Sequence, residues 1–291
     1  MKKTLATLVV LLGLWLLLVQ CRTIGKVLEE AGEATGLEGL AAAGRAIGTY
    51  EGFSVSEEHY IGRSVSAEIV TLYDVQQAED LAEYVELIGQ TVVLSNPEVR
   101  ETFKGYRFTV LESDEIQAVA SPGGFIFISK GILDRAESED EVAAILAHEI
   151  AHVHLMHPMQ AIQQSRITSA FQLLAKDAAE QLSDEEQGEL ADALGSTVGD
   201  VAGTLVQNGY SRDFELEADE LGQQFLENAG YEKGALVSFL NKLGEQGGEG
   251  GWFATHPDPS ERIAALGNKG PMGTTSAFER RVARFRGALG R

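Results

Sequence analysis

EVAAILAHEIAHVHLMH, residues 141–157, decides how the rest of the chain is read, because it sets His148, Glu149 and His152 in an H-E-x-x-H pattern. An α-helix turns about 100° per residue, so side chains four apart share a face and lie a few ångströms from one another. His148 and His152 can then grip one metal ion. Glu149 is displaced one step round the helix, to the side of the metal, where a carboxylate can take a proton from water that the ion activates. Val142, Ala143, Ala144, Ile145 and Leu146 make the helix apolar on nearly every side, as for a buried helix. A buried helix does not carry His-Glu-His without partners for their polar atoms. The pattern therefore points to a metal centre rather than to a solvated polar stripe.

The surrounding chain is large enough to house such a centre. With 291 residues, 44% of them hydrophobic, it can bury one substantial core. A formal charge of -21 argues against nucleic acid or an anionic membrane surface as a partner, since phosphate binding needs clustered Lys and Arg. Residues 1–20 read as an export segment, with Lys2 and Lys3 ahead of an almost wholly apolar run from Leu5 to Val19. Cys21, the chain's one cysteine, follows directly. With Leu18 three residues before it, the junction resembles the lipobox at which bacterial lipoproteins are cleaved and acylated, although Gln20 stands where a small residue is usual. An uncleaved anchor and an ordinary cleaved signal are the plain alternatives. On the lipoprotein reading the mature chain begins at Cys21, has no free thiol and hangs from a membrane by its lipid. Arg22, rather than Asp, favours the outer membrane. No second apolar run approaches the length of a membrane span.

Residues 21–55 are rich in Ala, Gly and Glu and read as a tether with weak helices. From about Ser56 to Gln90, Ile61, Val65, Ile69, Leu72, Leu81, Tyr84, Val85 and Ile88 recur at helical spacing, and Asn96-Pro97 closes that region. Tyr106–Leu111, Ile116–Ala120 and Phe125–Ser129 alternate as strands, the last two joined through Ser121-Pro122-Gly123-Gly124. Since the motif helix follows, Phe125–Ser129 is expected to lie beside the metal cleft, either as an exposed edge that accepts an extended peptide or as part of a plain hairpin. Acidic residues from Glu137 to Asp140 suit the start of the motif helix. Pro158 is expected to interrupt it, and 159–208, polar and Gly-broken, reads as helical and lid-like. His157, by straight-helix geometry, faces about 180° away from His148 and reads as structural. His154 reads as a surface residue, and His59 has no visible role. Arg280, Arg281, Arg284 and Arg286 make a basic C-terminal tail, 271–291, expected to fold against the acidic body, with contact to lipid headgroups as the alternative.

A catalytic zinc takes three protein ligands and keeps one position open, so a third ligand must come from elsewhere. Ser211 to Asp219, SRDFELEAD, places Glu215 and Asp219 on one helical face. One of these carboxylates can bind the metal while the other orients a ligand imidazole.

H-E-x-x-H, then S-R-x-x-E-x-x-A-D about sixty residues on, then His256-Pro257-Asp258-Pro259 to Arg262, together resemble the zinc metallopeptidases of the HtpX and CAAX-prenyl-protease type. Tyr60-Ile61-Gly62-Arg63, Pro122-Gly123-Gly124-Phe125, His157 and Gln160 extend the likeness over about 56–266. The resemblance implies an α+β, mainly α, zincin-like domain over 56–270, with a small three-stranded sheet packed beside the H-E-x-x-H helix. It implies one zinc per chain on His148, His152 and Glu215, with Glu149 as general base and Asp219 behind a ligand. Gln117 stands where the family often has Asn. Multi-spanning members differ from this chain, which looks like the soluble periplasmic branch typified by BepA and LoiP, without the length for a helical repeat domain. His256 has three open roles: inhibitory fourth ligand, oxyanion helper or turn residue. Arg262 has two, electrostatic helper or salt bridge. The expected activity is zinc-dependent endoproteolysis of unfolded or misassembled envelope proteins. The alternative is a latent or non-cleaving zinc-stabilised chaperone for outer-membrane protein assembly.

Overall fold

The structure, a computed structural model, describes residues 54–162, 203, 205–206, 209–245, 256, 259–267 and 275–291. The export segment, Cys21, nearly all of the tether, most of 159–208, and Pro257 and Asp258 lie outside the described residues. Among the described residues, no helix is long and apolar enough to cross a membrane.

The helical periodicity before the sheet resolves into two helices, α1 (Val55–Leu72) and α2 (Glu79–Leu94). They break where Val75 forms an antiparallel bridge with Leu111. Leu81, Val85, Ile88, Gly89 and Val92 form the buried stripe of α2, and Glu79 and Asp80 sit in its first turn, where the helix dipole favours them. At its far end, the Asn96 amide donates to the Val92 carbonyl at 2.7 Å and across the molecule to the Phe225 carbonyl at 3.0 Å.

β1 (Arg107–Leu111), β2 (Ala118–Ser121) and β3 (Phe125–Ser129) form a sheet of order β1-β3-β2. β2 and β3 are an antiparallel hairpin turned by Pro122–Gly124, with φ of 75° at Gly123 and 88° at Gly124, angles that a side chain would resist. β1 runs parallel to β3, with Arg107 opposite Phe125 and Leu111 opposite Ser129. This overturns the expectation of Phe125–Ser129 as an exposed edge. The chain returns past β1 before laying down β3, so β3 is central and both its flanks are already paired. On the hairpin side the sheet ends at β2, whose four residues are buried.

α3 (Lys130–Arg135) leads into the motif helix α4 (Glu139–His154); α5 (Arg212–Asn228), α6 (Ala235–Glu245), α7 (Pro259–Leu266) and α8 (Ser276–Ala288) follow. α4 packs against β2, β3, α2, α5, α6 and α8, so it is the axis of the core. Ile126 and Ile128 from the sheet, Val142 to Leu146 from α4, Phe225 from α5, Phe239 from α6 and Phe285 from α8 meet in one cluster. The result is the α+β, mainly helical architecture with a small sheet beside the motif helix that the sequence led us to expect.

Residues Glu139, Asp140 and Glu141 are buried at the head of α4, and each has its own cation. Glu139 pairs with Arg284, its Oε2 accepting from Nε at 2.6 Å, and takes further bonds from the Tyr84 and Tyr231 hydroxyls. Asp140 accepts from Arg281 at 2.8 and 2.7 Å, and Glu141 accepts from Lys242 at 2.7 Å. In the described part of the basic segment, α8 is thus clamped onto the buried acidic start of α4, in line with the expectation that it folds against the acidic body.

Candidate metal centre

Ser138 caps α4, its hydroxyl accepting from the Glu141 N–H, and every residue from Glu139 to Val153 is buried. Ser211 of the S-R-x-x-E-x-x-A-D stretch does the same for α5, accepting from the Phe214 N–H. The two helices lie side by side because Gly222 faces His148: a Cβ there would come within 3.0 Å of the His148 Cα and backbone N. This close approach brings Glu215 and Asp219 onto the imidazoles of α4.

His148 Nε2 and His152 Nε2 are 3.0 Å apart. Glu215 sends Oε1 to 3.3 Å from His152 Nε2 and Oε2 to 3.5 Å from His148 Nε2. His256 completes the group, with Nδ1 2.7 Å from Glu215 Oε2. One ligand atom from each of His148, His152, Glu215 and His256 falls within 4.8 Å of the others, and all four residues are buried.

The chemistry of this donor set fits a divalent cation. His148 Nδ1 donates to Asp219 Oδ1 at 2.9 Å and His152 Nδ1 lies 2.9 Å from His157 Nδ1, so a proton on each outer nitrogen leaves the Nε2 lone pairs aimed at each other and at a carboxylate. Such a convergence of lone pairs is stable only around positive charge. Burial and the Arg262 charge oppose protonation of His148, yet Asp219 and Glu215 outweigh them and raise its pKa to about 9. The two carboxylates that favour a positive charge on this ring would favour a metal cation beside it in the same way. At His152 burial prevails and the pKa falls well below the usual imidazole value. Glu215 is held well below the carboxylate range: burial opposes this, and His256, His148 and His152 override it.

Glu149 is fully buried beside the cluster, and neither of its oxygens has a hydrogen bond. Its Oε1 is 3.7 Å from His256 Nε2. Burial pushes its pKa up. A buried carboxyl with both oxygens uncommitted, next to a cation site, is arranged to exchange a proton with something that enters.

Asp219 stands behind His148, and Arg262 stands behind Asp219, Nε to Oδ2 at 2.7 Å and Nη2 to Oδ1 at 2.5 Å. Arg262 Nη1 also approaches Glu215 Oε2 at 3.3 Å. Of the two roles open for Arg262, the structure favours the ion pair that fastens α7 to α5. Burial would raise the Asp219 pKa, but Arg262 outweighs it and holds the carboxyl at about 2.

Two residues near the centre escaped sequence reasoning. His157 does not face away: Met156 adopts a left-handed φ of 61° just past the end of α4, and the chain turns His157 back onto His152. The straight-helix assumption failed at that residue. Tyr210 stacks on the His152 ring at 4.2 Å and donates its hydroxyl to the Ala120 carbonyl at 3.0 Å. Its place just before the Ser211 cap was the only available hint. His154 is half-buried, its Nδ1 accepting from the Arg100 N–H at 3.2 Å, and His59 is buried against the Phe103 and Phe125 rings.

Comparison with known proteins places this geometry in context. The pattern of Peptidase family M48 matches residues 79–269. The chain is 27% identical over 255 residues to the beta-barrel assembly-enhancing protease of Yersinia pestis, covering 82% of this chain and 50% of that one. It is 27% identical over 157 residues to the metalloprotease LoiP of Escherichia coli (strain K12), covering 53% of this chain and 59% of LoiP. It is 31% identical over 161 residues to the mitochondrial metalloendopeptidase OMA1 of Schizosaccharomyces pombe, covering 54% and 44%. The chain spans half or less of the length of the beta-barrel assembly-enhancing proteases it matches.

Proposed function

The chain belongs to peptidase family M48, and from that premise we propose that it is a zinc-dependent metalloendopeptidase of the bacterial cell envelope, cutting unfolded or misassembled envelope proteins. The observation that carries this reading is the convergence of His148, His152 and Glu215 beside the uncommitted carboxyl of Glu149. A zinc ion held by those three residues would supply Lewis acidity, polarising a peptide carbonyl and making water a nucleophile near neutral pH.

The protein's own groups account for the remaining steps. Glu149 takes the proton of the attacking water and passes it to the departing amide nitrogen, so that one carboxylate serves as base and then acid. Asp219 fixes His148 through Nδ1, and Arg262 keeps Asp219 ionised and in place. The extended substrate pairs along β2. The Ser129 N–H donates to the Gln117 carbonyl, which makes 117 and 129 a hydrogen-bonded pair; alternation along an antiparallel ladder then turns the N–H and C=O of Ala118 and Ala120 away from β3, where the Ala120 carbonyl accepts from the Tyr210 hydroxyl, a bond that an incoming strand would share or displace.

The envelope assignment, the periplasmic side and the lipid anchor at Cys21 rest on the export segment, on the Leu18-to-Cys21 junction and on the names of the bacterial relatives. Arg22 supports the outer membrane.

A second reading is favoured by His256, whose place within the donor cluster suits a fourth ligand that holds the enzyme latent. A protein that only binds misfolded chains, the non-cleaving chaperone, would have no use for a buried, uncommitted Glu149. Zinc content and casein digestion, measured on wild type and Glu149→Gln, test the proposal. One zinc in each form with cleavage by wild type alone is the expected result. A Glu149→Gln enzyme that digests casein normally would sink the assignment.

A further inference from the structure

His157 is nearly fully buried and is not needed to complete the donor set, yet its placement is specific. Its Nδ1 meets His152 Nδ1 at 2.9 Å, and its Nε2 lies 3.3 Å from Glu217 Oε2. Its ring is stacked on Phe214 at 4.1 Å with only 5° between the planes, and Phe214 directly precedes Glu215. Tyr210 covers the other face of His152.

When His152 Nε2 keeps its lone pair for a metal, one assignment of protons with both rings neutral satisfies every contact in this row. With His152 Nε2 turned toward His148 and Glu215, the proton of a neutral His152 resides on Nδ1 and is donated to His157 Nδ1. His157 then carries its own proton on Nε2 and donates it to the Glu217 carboxylate. Each nitrogen is used once, and the row ends on a side chain that is 59% exposed. The paired ligand, His148, is backed instead by a buried carboxylate in direct contact. Imidazole ligands are oriented and made more basic by the acceptor on their second nitrogen. The two ligand histidines thus receive this support from one helix, α5, by routes of different length: directly from Asp219, and from Glu217 through a second imidazole.

We propose that His157 and Glu217 are positioning residues for the metal, fixing the tautomer and ring orientation of His152 through a two-step relay that reaches solvent at Glu217. The proposal rests on the metal reading above. It predicts that a surface carboxylate, separated from the metal by two imidazoles, sets part of the metal affinity.

The test measures zinc affinity by competition with a chromophoric chelator, and the visible absorption of the cobalt(II)-loaded full chain, in wild type, His157→Ala, His157→Gln and Glu217→Ala. His157→Ala should bind zinc about 10–100-fold more weakly. His157→Gln, whose amide oxygen can accept the His152 proton, should recover most of that loss. Glu217→Ala should weaken zinc binding by up to about tenfold and shift the cobalt bands, with the metal-free melting temperature unchanged. If wild type binds zinc and both alanine variants bind it as tightly with identical cobalt spectra, the relay is overturned while the metal reading stands. If wild type takes up no zinc, both are overturned.

Discussion

Arg262 grips Asp219 with both edges of its guanidinium, and the pair is buried directly behind His148. Removing the guanidinium leaves the buried Asp219 carboxylate with only the His148 imidazole against it. Arg262→Met should cost about 3–5 kcal/mol in a denaturant titration. Asp219→Asn in the same chain should recover part of this, since the stranded charge is gone. Strictly additive losses in the double variant would show that the two residues do not act as a pair.

The arginines of α8 differ in a way that ranks them. Arg281 is 15% exposed and holds a fully buried Asp140, whereas Arg284 is 56% exposed and shares Glu139 with two tyrosines. Water can replace much of what Arg284 provides, and solvent screens its pair. Arg281→Ala should therefore lower the melting temperature more than Arg284→Ala. The opposite order would mean that exposure does not rank the two pairs and that Arg284 is the stronger clamp.

His154 should make the fold sensitive to mild acid. Burial lowers its pKa below 6.5, and neutral Nδ1 accepts the Arg100 N–H. For a base depressed on folding, the unfolded chain binds more protons; the stabilisation is complete above the unfolded value and fades as pH falls through the folded one. The His154→Gln variant keeps an acceptor without titrating. Its melting temperature should fall less than that of wild type between pH 7 and pH 5, two values chosen around the ordinary imidazole pKa of about 6.5. Parallel curves would assign the acid sensitivity to other groups.

His256 is the residue to change if the isolated protein is sluggish. On the latent reading, His256→Ala opens a position at the metal, and casein turnover should rise several-fold with zinc content retained. Turnover that drops instead would move His256 from latch to participant in the reaction.

How much of this was legible in the sequence depended on whether a feature is local. The spacing of His148, Glu149 and His152 fixes their common helix without reference to any other part of the chain. Helical spacing put Glu215 and Asp219 on one face but left open which of them binds the metal, and only the resemblance carried by the S-R-x-x-E-x-x-A-D pattern singled out Glu215. The central position of β3 was hidden, because strands met in order along the chain do not announce that the first will pair with the third. His157 was hidden by a single backbone angle at Met156, a residue type that gives no warning of a left-handed turn. The ion pairs of α8 with α4 span more than 140 positions, and charge alone could say only that opposite signs would attract.

Gly222 has no atoms beyond its backbone to offer the metal, yet the metal centre depends on it. A methyl group there would press at about 3.0 Å on the Cα and N of His148, backbone atoms of a helix buried along nearly its whole length. The displaced partner would be α5, which carries Glu215, Glu217 and Asp219 together. A redesign that copies all the ligands of this centre into another scaffold, or a search that scores only those ligands, would accept chains in which the two helices stand a few tenths of an ångström too far apart. The vacant volume at position 222 is as much a part of the blueprint as the imidazoles that face it.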